Sequence, residues 1–351
     1  MAINNRKRSL VLSGGGGRGA YHVGVLRFLE EHEWIPGVVT GTSIGAVNGA
    51  AMASGHNSRS LWALWQGLHT KDVQKVNLNP LHGNYLLDTA PLRATLEREG
   101  WVDFERINSP EAAIHLRVTG TEMNTGKLRV FGNSDDLHPS QMIRETLTLD
   151  HIIASCSIPI VYPATLLNES LYWDGATVAN TPLGPAIDAG AEEFVVVIMT
   201  PWDDDEADAA SRIQRPTAVL TPHNLLTAAS TMMEWALLAS FQADLKMFRR
   251  VKELVSLQLE NARLRAANAV LQKQLSGEHV AMTDKDNDGI PDNLKNHKYH
   301  KLSHPIVVAP LKPISVEQIL SYTLEGHQEL YELGYNDAKR AWQAAGRIVN
   351  E

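Results

Sequence analysis

The sequence predicts an α/β fold with a mainly parallel central sheet, followed by a helical C-terminal extension. Three observations predict it. Over roughly the first 200 residues, short β-branched runs alternate with helical patterns, the signature of a parallel sheet crossed by helices. Two glycine-rich turns, Ser13–Ala20 and Gly41–Gly45, each stand between a strand pattern and a helix pattern. From Leu225 to about Gln274 the composition is almost wholly helix-forming.

Taken in order, residues 1–8 are a polar lead-in and 9–215 the main α/β domain, 216–275 are helical, 276–303 form a polar Asp-rich loop, and 304–351 form a strand–helix unit that packs back on the first domain. Ser9–Leu12 reads as a buried strand, followed by a glycine turn and a helix over about Ala20–Glu31. Val38–Thr40 is a second strand, followed by a sharp turn and a helix of small residues, Ala46–Ser54. Ile114–Gly120 and Lys127–Phe131 are strands joined by a turn at Asn124–Gly126. Phe194–Met199 is a continuous apolar run, a central strand, with Gly190 ending the helix before it. Within the helical segment Leu257, Leu264 and Leu271 recur every seven residues. Leu254, Asn261, Asn268 and Leu275 form a second row, so the spacing predicts either homodimer pairing through 254–275 or an amphipathic helix packed on its own chain.

Bulk properties narrow the function. Hydrophobic residues are 44% and charged residues 21%, ordinary for a globular protein. A net charge of −8 without a concentrated basic face argues against a nucleic-acid partner. The basic start, Arg6–Arg8, is followed by an apolar run too short for a signal-peptide core, and no stretch approaches the about 18 apolar residues needed to span a bilayer. The expected location is cytoplasmic or peripheral to a membrane, with export by a route without a signal peptide left open. The single cysteine, Cys156, excludes an internal disulfide and sits in an apolar run as a small buried hydrophobe.

Gly14, Gly15, Gly16, Gly17, Arg18 and Gly19 lie between the first strand and first helix. Glycines there aim backbone N–H groups into one concavity at a helix N-terminus, which suits an anion. One such anion is a dinucleotide pyrophosphate, because Gly14, Gly16 and Gly19 spell G-x-G-x-x-G; but the second strand ends Val39-Thr40-Gly41, without the acidic residue that would hold the ribose. The other is the oxyanion of an acyl-transfer intermediate. Gly41-Thr-Ser-Ile-Gly45 is a G-x-S-x-G turn after a strand and before a helix, the setting that exposes a nucleophilic hydroxyl, and assigns Ser43 as nucleophile, with Gly41 and Gly45 relieving the crowding of the turn.

The order S-G-G-G-x-R-G, then G-T-S-x-G, then Tyr172-Trp-Asp-Gly-Ala176 resembles the patatin-like phospholipases. The flanks Ala154–Pro159, Asn180–Leu183 and Ala189–Ala191 agree, the resemblance covers roughly residues 9–200, and Glu332–Ala338 resembles the end of bacterial members. The resemblance implies a patatin-like three-layer sandwich and a Ser–Asp dyad without histidine. Ser43 matches the nucleophile, Asp174 the general base within the motif that Gly175 and Ala176 complete, and Gly14–Gly17 with Arg18 the oxyanion loop. It also implies a lipid or acyl-ester substrate and catalysis that needs no cofactor.

Alternatives stay open at this level. Asp-Gly is commonly just a turn. A Ser–Asp–His triad has His223, His279, His297, His300, His304 and His327 to draw on. A non-catalytic scaffold with a vestigial site is a further class. Leu61, Leu64, Trp65 and Leu68 share one helical face, which packs in the core or forms an acyl-chain wall or membrane-surface contact. Asp284, Asp286, Asp288 and Asp292, with Gly289 and the backbone of Ile290, have calcium-ligand spacing and resemble thrombospondin type 3 and dockerin-like loops. Lys295 stands where an acidic ligand closes such loops, and any Ca2+ held there is structural.

Overall fold

The computed structural model describes residues 7–79, 84–98, 100–134, 142–144, 146–202, 242–243, 245–265, 268 and 301–349. Two compact units divide the chain: residues 1–241 with 305–351, and residues 242–304.

In the first unit the sheet strands are β1 (Arg8–Leu12), β2 (Val38–Gly41), β5 (His115–Glu122), β6 (Lys127–Gly132), β7 (Met142–Arg144), β8 (Thr165–Leu167), β9 (Ser170–Asp174), β10 (Glu193–Val197) and β11 (Ile306–Val308). Two short strands, β3 (Lys75–Val76) and β4 (Leu87–Asp88), form a separate antiparallel ribbon. The main order is β11-β10-β1-β2-β5-β6-β7, and the first five of these are parallel. β1 and β10 are buried apolar runs, as strands covered on both faces must be. The strand expected at 194–199 runs over Glu193–Val197, between two neighbours.

β5 carries the arrangement that builds the site. Its first half pairs in parallel with β2, ending at Gly41 opposite Val118. Its second half pairs antiparallel with β9 along the same edge, placing Asp174 opposite Gly120. β2 stops because the chain must turn at Gly41, and β9 takes up the vacated edge. The end of the strand that leads into Ser43 and the end of the Asp174 strand thus meet two residues apart on one ladder.

In the same unit, β11 extends the sheet beside β10, and the Leu324–Ala344 helix lies against the Ala20–Glu31 helix. Their approach is close because glycines face backbone reciprocally. A Cβ on Gly24 would meet the Tyr331 carbonyl oxygen at 1.9 Å, and one on Gly334 the Tyr21 carbonyl oxygen at 2.1 Å. Tyr21 donates to the buried Asp337 at 2.8 Å and locks the same contact. Of the Leu61–Leu68 stripe, Leu61 and Trp65 are buried in the core, and the buried Leu68 also lines the cavity described below.

In the second unit residues 245–265 are helical. Val255 and Leu259 are buried there, packed with Val251 and Ala262. The heptad positions Leu254, Leu257, Asn261 and Leu264 lie on the exposed side of that helix. Leu271 and Leu275, and the whole 284–292 loop, lie outside the described residues. No described helix is long and apolar enough to cross a membrane.

Candidate active site

Ser43 sits between β2 and the Ile44–Ala53 helix, as its N-cap, with φ 56° and ψ −125°. Few non-glycine residues adopt such a backbone, and it persists only where the surroundings impose it. They do: a Cβ on Gly41 would meet the Gly45 carbonyl oxygen at 2.3 Å, and one on Gly45 the Leu12 carbonyl oxygen at 2.4 Å. The Ser43 N–H donates to Ser155 Oγ at 2.9 Å, and the Ser43 carbonyl accepts from Ala46 at 2.8 Å. The strained turn is thereby held from both ends, at the positive end of a ten-residue helix.

Asp174 ends β9 and is 2% exposed. Its backbone is fixed by its own N–H donating to the Ser157 carbonyl at 2.8 Å and by Thr121 Oγ1 donating to its carbonyl at 3.0 Å. Oδ1 accepts the Ala176 N–H at 2.8 Å, while the buried Oδ2 has no partner of hydrogen-bond geometry among the described residues. Burial pushes this carboxyl up to about 7, with the Ser43 hydroxyl and the Ala176 N–H drawing it back down. The Ser43 hydroxyl thus lies near enough to Asp174 to favour its charged form. No histidine is a partner of Ser43 or Asp174 among the described residues; His327 is buried with Nδ1 2.9 Å from the Trp65 carbonyl oxygen.

The glycine loop divides into separate jobs. The N–H of Gly14 is taken by Asn180, at 2.9 Å to Oδ1, so Gly14 anchors the loop and is not an open donor. The N–H groups of Gly15, Gly16 and Gly17 meet no protein acceptor among the described residues. Gly19 packs against Ile44 and Trp65, where a Cβ would approach within 2.4 Å, and its carbonyl accepts from Asn48. Arg18, expected beside the oxyanion, is buried and turned away: Nη2 donates to the carbonyls of Ile314 at 3.2 Å and Ser315 at 3.1 Å. It clamps the C-terminal segment, whose Ile319 and Ser321 carbonyls lie directly over Gly16 and Gly17.

A narrow cavity opens beside Ser43. Gly16, Ser43 and Cys156 line one part of it, and Val47, Leu68, Leu96 and Trp101 give it an apolar wall. Its enclosed space of about 20 Å³ is room for about one water. Tyr322, from the C-terminal segment, also lines it. Cys156 is buried as expected but touches the site: burial and the Asp174 charge push its thiol well up, and the Ser43 hydroxyl draws it down. That keeps the thiol protonated and weakly nucleophilic. Ser155, Asn180 and Tyr322 are the site residues that sequence reasoning passed over. The first two lie in the flanks Ala154–Pro159 and Asn180–Leu183; Tyr322 carries no local signal.

The sequence profile of the patatin-like phospholipases matches residues 10–187, which include every one of these elements except the C-terminal segment. The chain belongs to the patatin-like phospholipase family. Among patatin-like relatives, the lysophospholipase NTE1 of Meyerozyma guilliermondii is 32% identical over 205 residues, covering 58% of this chain and 13% of that one. Triacylglycerol lipase 4 of Saccharomyces cerevisiae is 27% identical over 177 residues, covering 47% of this chain and 19% of that one. This patatin-like chain thus spans a minor part of the curated relatives it matches. A solved structure, VipD from Legionella pneumophila, aligns over 97% of this chain and 67% of its own with a TM-score of 0.47 at 15% identity.

Proposed function

We propose that this chain hydrolyses lipid acyl esters through Ser43 and Asp174. The observation that carries this reading is a serine in a strained backbone, lining the cavity and set beside a buried carboxyl raised to about 7, close to the working pH at which a general base is most effective. Asp174 takes the Ser43 proton as the oxygen attacks the ester carbonyl carbon. The carbonyl electron pair moves onto oxygen, and the free N–H groups of Gly15, Gly16 and Gly17 supply the oxyanion hole, each such donor being worth about 3–4 kcal/mol. Collapse expels the alcohol, which carries away the proton from Asp174 and leaves an acyl-Ser43. Water then attacks with Asp174 again as base, and the proton returns to Ser43 as the free acid departs.

The lipid part of the reading draws on the apolar wall beside Ser43 and on relatives named as a lysophospholipase and a triacylglycerol lipase. The test is release of fatty acid from lysophosphatidylcholine, phosphatidylcholine and trioleoylglycerol by the parent chain and by Ser43→Ala. Turnover of at least one, abolished in the variant, is expected. No turnover of any, or turnover that survives Ser43→Ala, defeats the proposal.

A further inference from the structure

Beyond the cavity, three chain segments are stitched edge to edge and end in exposed apolar side chains. Val76 pairs with Leu87 in the β3–β4 ribbon, and the Asn77 N–H donates to the Leu86 carbonyl at 3.0 Å. The Leu86 N–H in turn donates to the Ile160 carbonyl at 3.0 Å, and that of Leu87 to Val161 at 2.8 Å. Along this strip Val76 is 67% exposed, Leu78 95%, Leu86 50% and Ile160 73%. Residues 76–79, 84–87 and 158–164 contain no charged side chain, and Tyr85 is half-buried among them.

Ile160 is the informative member. It holds φ +70°, the one β-branched residue among the described non-glycine residues in the left-handed region. A β-branched residue there is a steric outlier, and its side chain faces water as well. Neither property serves a free soluble surface. The strip is also continuous with the catalytic cavity: Val73 lies three residues before Val76, Ile158 and Tyr162 flank Ile160, and all three line the space beside Ser43.

We propose that Val76, Leu78, Leu86 and Ile160 form the surface by which the protein docks on a lipid–water interface. The proposal rests on the acyl-hydrolase reading for its purpose. An apolar rim with a tyrosine, bordered by the Lys75–Asp88 ion pair, suits insertion at the boundary of headgroups and acyl chains. A lipid surface is also the one occupant that supplies substrate to the adjoining cavity, whereas a protein seated there would cover it.

The experiment uses the full chain carrying Ser43→Ala, so that vesicles stay intact, and compares it with the same chain carrying Leu78→Gln and Ile160→Asn. Asparagine takes the left-handed backbone readily, so this change leaves the fold at least as stable. Co-sedimentation with phosphatidylcholine vesicles is expected for the first chain, weakened at least about tenfold in the second. On a water-soluble short-chain ester, Leu78→Gln/Ile160→Asn with Ser43 intact is expected to keep kcat/KM within about twofold of the parent and an unchanged or higher Tm. Absence of vesicle binding, equal binding by both chains, or a self-association that the two substitutions abolish would overturn the proposal. Failure of the parent on the soluble ester would instead strike the acyl-hydrolase reading, while vesicle binding still reports on the strip.

Discussion

Replacing Asp174 by Asn tests the proposed role of its buried carboxyl through stability as well as through rate. In the folded chain the carboxyl is raised from 3.8 to about 7 by burial. At pH 4 the folded group is protonated and close in shape and hydrogen bonding to asparagine. As pH rises from about 4 to 7, the unfolded chain loses this proton while the folded chain keeps it, so the parent loses stability across that window. At about 1.4 kcal/mol per pKa unit, the loss amounts to about 4 kcal/mol and is complete above pH 7. Asp174→Asn removes this titration and preserves the bond from Ala176 to the side-chain oxygen. Urea unfolding of parent and variant at pH 4 and pH 8 is therefore expected to show their difference growing by about 4 kcal/mol in favour of the variant, while activity falls at least about 100-fold. A difference that stays constant with pH refutes the reasoning, because the carboxyl then does not titrate in a buried setting. A difference that moves the other way means that a cation or further donors stabilise the carboxylate.

Three other outcomes follow. Gly24→Ala drives a methyl into the Tyr331 carbonyl and is expected to cost about 1–3 kcal/mol or more by urea unfolding; an unchanged midpoint would mean that the two helices are not packed at that distance. The proposed structural calcium site, Asp284, Asp286, Asp288, Ile290 and Asp292, is expected to give binding heat at millimolar or lower calcium that Asp284→Asn/Asp288→Asn removes; no heat in the parent retires it. The proposed pairing through 254–275 places Leu257 and Leu264 in the seam, so Leu257→Glu/Leu264→Glu is expected to convert a dimer to a monomer by light scattering; a monomeric parent ends the idea.

Much of the fold was legible because its signals are local. The strand–glycine turn–helix order around Ser13–Ala20 and Gly41–Gly45 fixes both elements from a few residues, and the observed helix Ala20–Glu31 has the expected ends. Asp174 was legible only through resemblance, since what makes it special is non-local: β9 inherits the edge of β5 that β2 leaves free. Arg18 shows the opposite failure. A cation beside a glycine nest suggests an anion contact, yet its guanidinium is consumed by two carbonyls nearly 300 residues downstream, which no local pattern announces. Asn180 and Ser155 escaped notice because each acts by filling one backbone donor of the loop or the elbow. Pattern reasoning finds motif-borne side chains more readily than the residues that hold them in place.

The central claim is that Ser43 is a nucleophile activated by Asp174, and covalent capture addresses it most directly. A fluorophosphonate probe is applied across pH 5–9, with the modified peptide mapped by mass spectrometry. One label per chain on Ser43 is expected, absent in Ser43→Ala and slowed at least about 100-fold in Asp174→Asn, with the parent's labelling rate falling as pH drops through about 7. Labelling on another residue, or labelling of Ser43 indifferent to Asp174→Asn and to pH, would contradict it.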